Sequence, residues 1–469
     1  VDDIGQLFVV DARGGCNVAE LERHVRENHI GGIIWFAADS REVATINAHL
    51  QSIAQTPLLI SADLEAGAGM RFPDLDWWPP AMAIAATGDP SLAEEMGRET
   101  ARAALAIGVD HVLAPVADVN VDPRNPVINT RSFGEDPHEV ARYVAAFVRG
   151  VQSEGALACA KHFPGHGDTH IDSHRALPVL EVTRERLEQI ELVPFRAAIE
   201  AGVASVMVGH LAVPAIDDTP VPVRASFENA YAIEHEEVTR GGTMPATLSR
   251  RVIDLLRRDL AYDGLVVTDA MDMGGLAAHF DPGEAAVRAL EAGCDQVLFS
   301  PDPDAAIAAV RLAVQTGRIE IEDALRRVRA AKERRRDASA PRRAAERAVR
   351  VVRDTNHLLP LRSSVCVIAV SPHDDPLDDA LHALPPSRDD GEVIVLLLAL
   401  RPKSGAGPIV VPEEIKRIAR EHPQRTIAIS FGSPYILAEL GEVSTFVCAW
   451  GVQPVLQRAA IARVKEGRP

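Results

Sequence analysis

This chain lacks long apolar runs, paired-cysteine motifs, an excess of basic charge and any internal repeat. No stretch approaches the roughly 20 apolar residues that a membrane helix requires, so no membrane span is expected. Lys and Arg number 49 against 67 Asp and Glu, for a net charge of −18. That balance argues against nucleic acid or an anionic membrane as partner, because phosphate contacts need clustered basic side chains. The cysteines, Cys16, Cys159, Cys294, Cys366 and Cys448, are scattered and odd in number. They form neither a disulfide framework nor a CxxC metal motif. Cys159, Cys366 and Cys448 fall inside apolar runs, where cysteine behaves as a small buried hydrophobe. The chain opens on Val1 and runs straight into apolar Gln6 to Val10, with no basic leader or cleavage site in view. A cytoplasmic location is the expectation, and a secreted one if the start was processed.

What is present reads as an ordinary globular protein: 47% hydrophobic and 25% charged residues over a length of 469. That length is too great for one core, so two domains are expected. Short β-rich runs alternate with longer amphipathic stretches. Strands are expected near residues 7–10, 32–36, 58–62, 111–115, 157–160, 205–208, 265–268 and 296–299. Most are continuously apolar, as parallel strands covered on both faces should be. Helical patterns separate them at 18–28, 42–54, 91–107, 139–154, 184–201, 249–259 and 283–292, with another at 304–316. This α/β alternation predicts a (β/α)8 TIM-type barrel over 1–325, followed by a smaller α/β layer domain. A doubly wound sheet is the structural alternative. The basic stretch at 326–350 reads as a solvated helical linker, since no aromatics interleave its arginines. Strands at 365–370, 393–400, 426–431 and 445–450 and helices at 412–421 and 454–465 define the second domain, 351–469.

Barrels of this kind carry their chemistry at the C-terminal strand ends. Strand three ends in Asp63-Leu64-Glu65, strand six near Gly209-His210, and strand seven in Thr268-Asp269. Strand five runs into Lys161-His162-Phe163-Pro164-Gly165-His166-Gly167-Asp168-Thr169-His170-Ile171-Asp172-Ser173-His174. Pro164, Gly165 and Gly167 argue against a helix there. In an extended loop, side chains two apart share a face, so Asp172 and His174 can meet. A carboxylate bonded to one ring nitrogen fixes the imidazole's tautomer and makes it a proton donor and acceptor near neutral pH. A polar loop of solvated histidines is the bland alternative. Asp269 closes a buried strand, where a carboxylate is costly unless paired or used. It reads equally as a helix N-cap. Lys161, Arg71 and Arg131 are candidates to keep it ionised if the barrel brings them close.

The segment Lys161 to His174 resembles the signature loop of family 3 glycoside hydrolases, in the β-N-acetylglucosaminidase branch. Matching segments follow in order: Asp63-Leu64-Glu65 with Arg71, Asn129 to Pro137, Gly209-His210, Pro245 to Ser249, and Thr268 to Met271. The resemblance spans about residues 4 to 337 and extends loosely into the second domain through Asn356 to Leu361. It implies retaining hydrolysis of terminal β-linked N-acetylglucosamine. Asp269 would be the nucleophile, with Asp172 and His174 as acid/base dyad in place of a second carboxylate. Asp63, Arg71, Arg131, Lys161, His162 and His210 would hold the sugar. No cofactor and no metal are implied, and the expected partner is a small N-acetylglucosamine-containing glycan or muropeptide. Two departures stand out. Ala66-Gly67 replaces the family's usual Gly-Gly, and the segment between Asp217 and Pro245 is longer than usual.

Other readings remain at this point. A same-family phosphorylase or β-glucosidase would share these motifs. Four histidines and several aspartates on barrel loops could bind Zn²⁺ in a metal-dependent hydrolase. A non-catalytic sugar-binding protein is a further class.

Overall fold

The computed structural model describes residues 3–170, 173, 177–222, 224, 242–338, 348–372, 377–400 and 409–467. The chain divides into two compact units, Val1–Ala338 and Ser339–Pro469.

The first unit is built on eight strands: β1 (Phe8–Ala12), β2 (Gly32–Trp35), β3 (Leu59–Ala62), β4 (His111–Val112), β5 (Leu157–Phe163), β6 (Ser205–Val208), β7 (Leu265–Ala270) and β8 (Gln296–Leu298). They close in sequence order into a parallel barrel, with Phe8 opposite Val297 at the seam. Runs such as Leu59-Ile60-Ser61-Ala62 are buried throughout, because helices cover the outer face and side chains fill the inner one. Strand lengths differ. β5 and β7 carry on through Lys161-His162-Phe163 and Asp269-Ala270, so polar residues ride on strand rather than loop at two points of the barrel mouth. β4 is only two residues long, shorter than its apolar run suggested.

The helical stretch expected over 184–201 is two helices, Arg184–Gln189 and Val193–Glu200. Pro194 sits in the first turn of the second, where its missing N–H costs nothing, whereas inside one long helix it would break the ladder. The basic stretch is also not simply solvated. Its first half belongs to helix Glu322–Ala338, which buries Leu325, Val328 and Ala331. On that helix Lys332 Nζ donates to Gln6 Oε1 at 2.6 Å, and Arg329 reaches Asp3 at 2.6 Å. Arg327 bridges Asp263 and Asp295. The apolar residues recur at helical spacing, but the arginines between them hide the stripe from a composition reading. No helix among the described residues is long and apolar enough to cross a membrane.

The second unit is a five-stranded sheet in the order β10 (Val365–Val370), β11 (Val393–Leu398), β12 (Thr426–Ser430), β13 (Thr445–Cys448) and β9 (Arg350–Asp354). The first four are parallel and β9 runs antiparallel along β13. Sequence patterning missed β9. As a half-exposed edge strand with an Arg at each side of its apolar pair, it carries no buried run to read.

Candidate active site

At the C-terminal ends of the barrel strands lies a cavity of about 500 Å3 lined by Asp63, Glu65, Arg71, Arg131, Lys161, His162, His166, Ser173 and Asp269, with Arg13, Phe36 and Phe299 among the others. Residues from strands two, three, five, seven and eight meet here only because the barrel closes.

One wall is an alternating chain of charges. Lys161 Nζ, 2% exposed, lies 2.6 Å from both Asp63 Oδ1 and Glu65 Oε1. Arg71 reaches the other oxygen of Asp63 at 2.9 Å. Arg131 grips Glu65 with Nε and Nη2, each at 2.8 Å, and donates Nη1 to the Val127 carbonyl. Burial would raise both carboxyls, but Lys161 and Arg71 hold Asp63 below its usual range, and Arg131 with Lys161 holds Glu65 well below it. Burial would likewise lower the Lys161 ammonium, and the two carboxylates raise it instead. Lys161→Met should therefore leave two buried carboxylates short of one cation. The expected loss of folding stability is about 3 kcal/mol, the lower end for a broken buried pair. Denaturant unfolding measures it, and a loss below about 1 kcal/mol would mean that Arg71 and Arg131 suffice alone.

Across from this wall, Asp269 sits on β7 rather than at a helix start. The next helix is Gly274–Ala277, with Met273 in the cap position, so the N-cap alternative falls away. Asp269 Oδ1 accepts from the Ala270 N–H at 2.8 Å. Burial would raise this carboxyl, but His162 and His210, then the Ala270 N–H and Lys161, together lower it. The cations expected to act on Asp269 were Lys161, Arg71 and Arg131. Of these Lys161 is among the leading influences on Asp269, while Arg71 and Arg131 pair with Asp63 and Glu65.

His162 is fixed from behind. Its Nδ1 lies 2.8 Å from Asp118 Oδ2, and Asp118 also accepts from the backbone N–H groups of His162 and His166. His210 is fully buried, with Nδ1 at 2.7 Å from Thr247 Oγ1 and Nε2 at 3.0 Å from the Ala270 carbonyl. A carbonyl only accepts, so Nε2 carries a proton and ties β6 to the strand end that bears Asp269. Both ring nitrogens thus have protein partners, an arrangement for holding the Asp269 segment rather than a sugar hydroxyl.

Asp172 and His174 lie outside the described residues. Ser173 between them is buried and lines the cavity. Gly67, which follows Ala66 after Asp63-Leu64-Glu65, is a glycine that geometry demands. Its φ is +86°, and a Cβ there would come within 2.9 Å of the Asp76 carbonyl and the Trp78 ring. Of the long segment after Asp217, Arg224 is described, and it docks on the loop after β7 through the carbonyls of Ala277 and Phe280. Among the described residues, no group of three or more His, Cys, Asp or Glu is arranged to hold a metal ion.

Residues 1–331 match the glycosyl hydrolase family 3 N-terminal domain. The chain belongs to glycosyl hydrolase family 3. A β-N-acetylglucosaminidase/β-glucosidase of Cellulomonas fimi is 34% identical over 334 residues, 71% of this chain and 57% of the relative. β-Hexosaminidase A of Pseudoalteromonas piscicida is also 34% identical, over 63% of this chain and 52% of its own length. The chain thus spans little more than half the length of these two relatives. Among solved structures, a family 3 β-N-acetylglucosaminidase from Paenibacillus sp. FPU-7 aligns with a TM-score of 0.63 at 30% identity, covering 99% of this chain and 96% of that one.

Three residues at or behind the cavity went unread in the sequence. Asp118 stands in Pro115-Val116-Ala117-Asp118-Val119-Asn120, which reads locally as a loop. Its position just past strand four was the available signal. Thr247 was noticed only as part of a matching segment, and Arg13 not at all. Arg13 lies over Phe36 and Phe299, 5.1 and 5.5 Å from their ring centres.

Proposed function

We propose that the chain is a retaining glycosidase that removes terminal non-reducing β-linked N-acetylglucosamine, with Asp269 as nucleophile. The observation that carries this reading is the Asp269 carboxylate. It lines the cavity, is held ionised, and faces no helix start that would explain it structurally. In the first step an Asp269 oxygen bonds to the anomeric carbon as the glycosidic C–O bond breaks. His174, oriented by Asp172, gives its proton to the departing oxygen. In the second step the same imidazole takes a proton from water, which attacks the anomeric carbon and frees Asp269.

Two other candidate proton donors fit less well than the dyad. Glu65 is held as a carboxylate by Arg131 and Lys161 and has no proton to give at neutral pH. His166 is buried, which together with the neighbouring His162 lowers it to about 4, so it too lacks a transferable proton there. Asp63, Lys161, Arg71 and His162 have the chemistry to order sugar hydroxyls, with carboxylates accepting and cations donating. Arg131 acts one step back, by fixing Glu65, and His210 by fixing and polarising Asp269.

The N-acetylglucosaminide preference is drawn from the names of the relatives, one of which is also named a β-glucosidase. A panel of β-aryl N-acetylglucosaminide, glucoside and xyloside, each with and without phosphate, tests it. The N-acetylglucosaminide should be cleaved fastest, with water as acceptor. A glucoside preference would overturn the substrate reading. A sugar phosphate as main product would replace hydrolysis by phosphorolysis.

A further inference from the structure

His166 lines the cavity yet has no part in the chemistry above. Its hydrogen bonds define what it does. Thr169 Oγ1 donates to the His166 carbonyl at 3.0 Å, so the same oxygen accepts from His166 Nδ1–H at 2.7 Å. In the neutral ring Nε2 is then bare, and it faces Ser173 Oγ at 3.1 Å as an acceptor. Asn125 secures the base of this turn by donating Nδ2 to the His166 carbonyl at 2.8 Å, and the His166 N–H is held by Asp118. On its other side Ser173 is gripped by the strand-seven loop, where the Gly275 N–H donates to the Ser173 carbonyl at 3.0 Å.

We infer that His166 is a positioning residue that holds Ser173, the residue between Asp172 and His174 in sequence, against the segment that follows Asp269. The inference rests on the Asp172–His174 reading. Ser173 is flanked in sequence by both members of the dyad, and it is clasped at its hydroxyl by His166 in the turn after strand five and at its carbonyl by Gly275 after strand seven. A proton donor must stand within hydrogen-bond reach of the leaving oxygen, and a misplacement of about 1 Å can cost roughly 10²-fold. The His166–Ser173 bond therefore governs the proton-dependent part of catalysis and leaves the attack by Asp269 alone.

The readout is the dependence on leaving group. Ser173→Ala and His166→Asn, which keeps a donor toward Thr169 but does not reach Ser173, should slow diacetylchitobiose cleavage roughly 10- to 100-fold. The pre-steady-state burst with a dinitrophenyl N-acetylglucosaminide should fall by less than about threefold, since that leaving group needs no proton. His166→Gln places an acceptor where Nε2 stood and should recover most of the lost chitobiose activity. The double variant Ser173→Ala/His166→Asn should be no slower than either single, because one interaction is lost in all three. Equal slowing of both substrates, additive losses, or no change would overturn the inference, and thermal melts of each variant exclude misfolding as the cause. His174→Ala run alongside separates the two claims. Leaving-group selectivity in His174→Ala but not in the Ser173 and His166 variants sinks the positioning role alone, and its absence from His174→Ala sinks the dyad as well.

Discussion

Replacing Asp269 by alanine is expected to lower turnover by roughly 10⁴-fold or more, as for other groups that form the covalent bond. The fold should survive with a modest loss of stability, because the lowered Asp269 carboxyl means that His162, His210, the Ala270 N–H and Lys161 together outweigh its desolvation cost. Incubation with a slow 2-fluoro or 5-fluoro glycosyl substrate should leave a covalent adduct, and peptide mass spectrometry should place it on Asp269. An adduct on Asp63, Glu65 or Asp272 instead would move the nucleophile. The pH dependence has a defined sign. The folded Asp269 carboxyl is lowered, so the ionised form persists as pH falls through the ordinary carboxylate range. The acid limb of the rate profile should accordingly fall below that range where Asp269 alone sets it.

The second large effect belongs to His174. General acid help matters most for poor leaving groups and contributes about 10²–10⁴-fold. His174→Ala should lose activity on sugar–sugar bonds by that factor. A dinitrophenyl glycoside should still glycosylate Asp269 quickly, and the intermediate should accumulate because the base of the second step is gone. A burst followed by slow turnover is the expected trace. Asp172→Asn should give a milder form, since it keeps the imidazole but removes the charge that orients it. Uniform slowing without a burst would make the histidine structural.

The barrel was legible because its strands are buried on both faces and read as unbroken apolar runs, as in Leu265-Val266-Val267. Edges and interruptions were less legible. β9 has no buried run, and the helix pair around Ile190 to Leu192 is divided by a proline that also suits a helix start. In the site, the residue types were readable and their partners were not. Arg71 and Asp63 are close in sequence and were grouped from the start. That Arg131 would take Glu65, 66 positions away, depends on how strand three and the loop after strand four converge. His162 and His210 come to face Asp269 for the same reason: strands five, six and seven are adjacent in the barrel, and local sequence carries no trace of that adjacency.

Helix Glu322–Ala338 has a further consequence, for the order in which the first unit can assemble. Lys332 meets Gln6 across 326 positions, Arg329 meets Asp3, and β8 closes on β1 beside them. These are contacts of very high sequence separation, whose loop-closure entropy must be met before they return any stability. During synthesis, β1 is made long before its seam partner β8, and the turn that carries Gln6 long before Lys332. At about 5–20 residues per second, that leaves an apolar strand edge uncovered for tens of seconds. β2 can pair with β1 and β3 with β2 in the meantime, so the nascent chain is an open, growing sheet with one sticky margin. The arginine-rich helix that reads as a spacer is, in time, the last piece of the barrel to arrive.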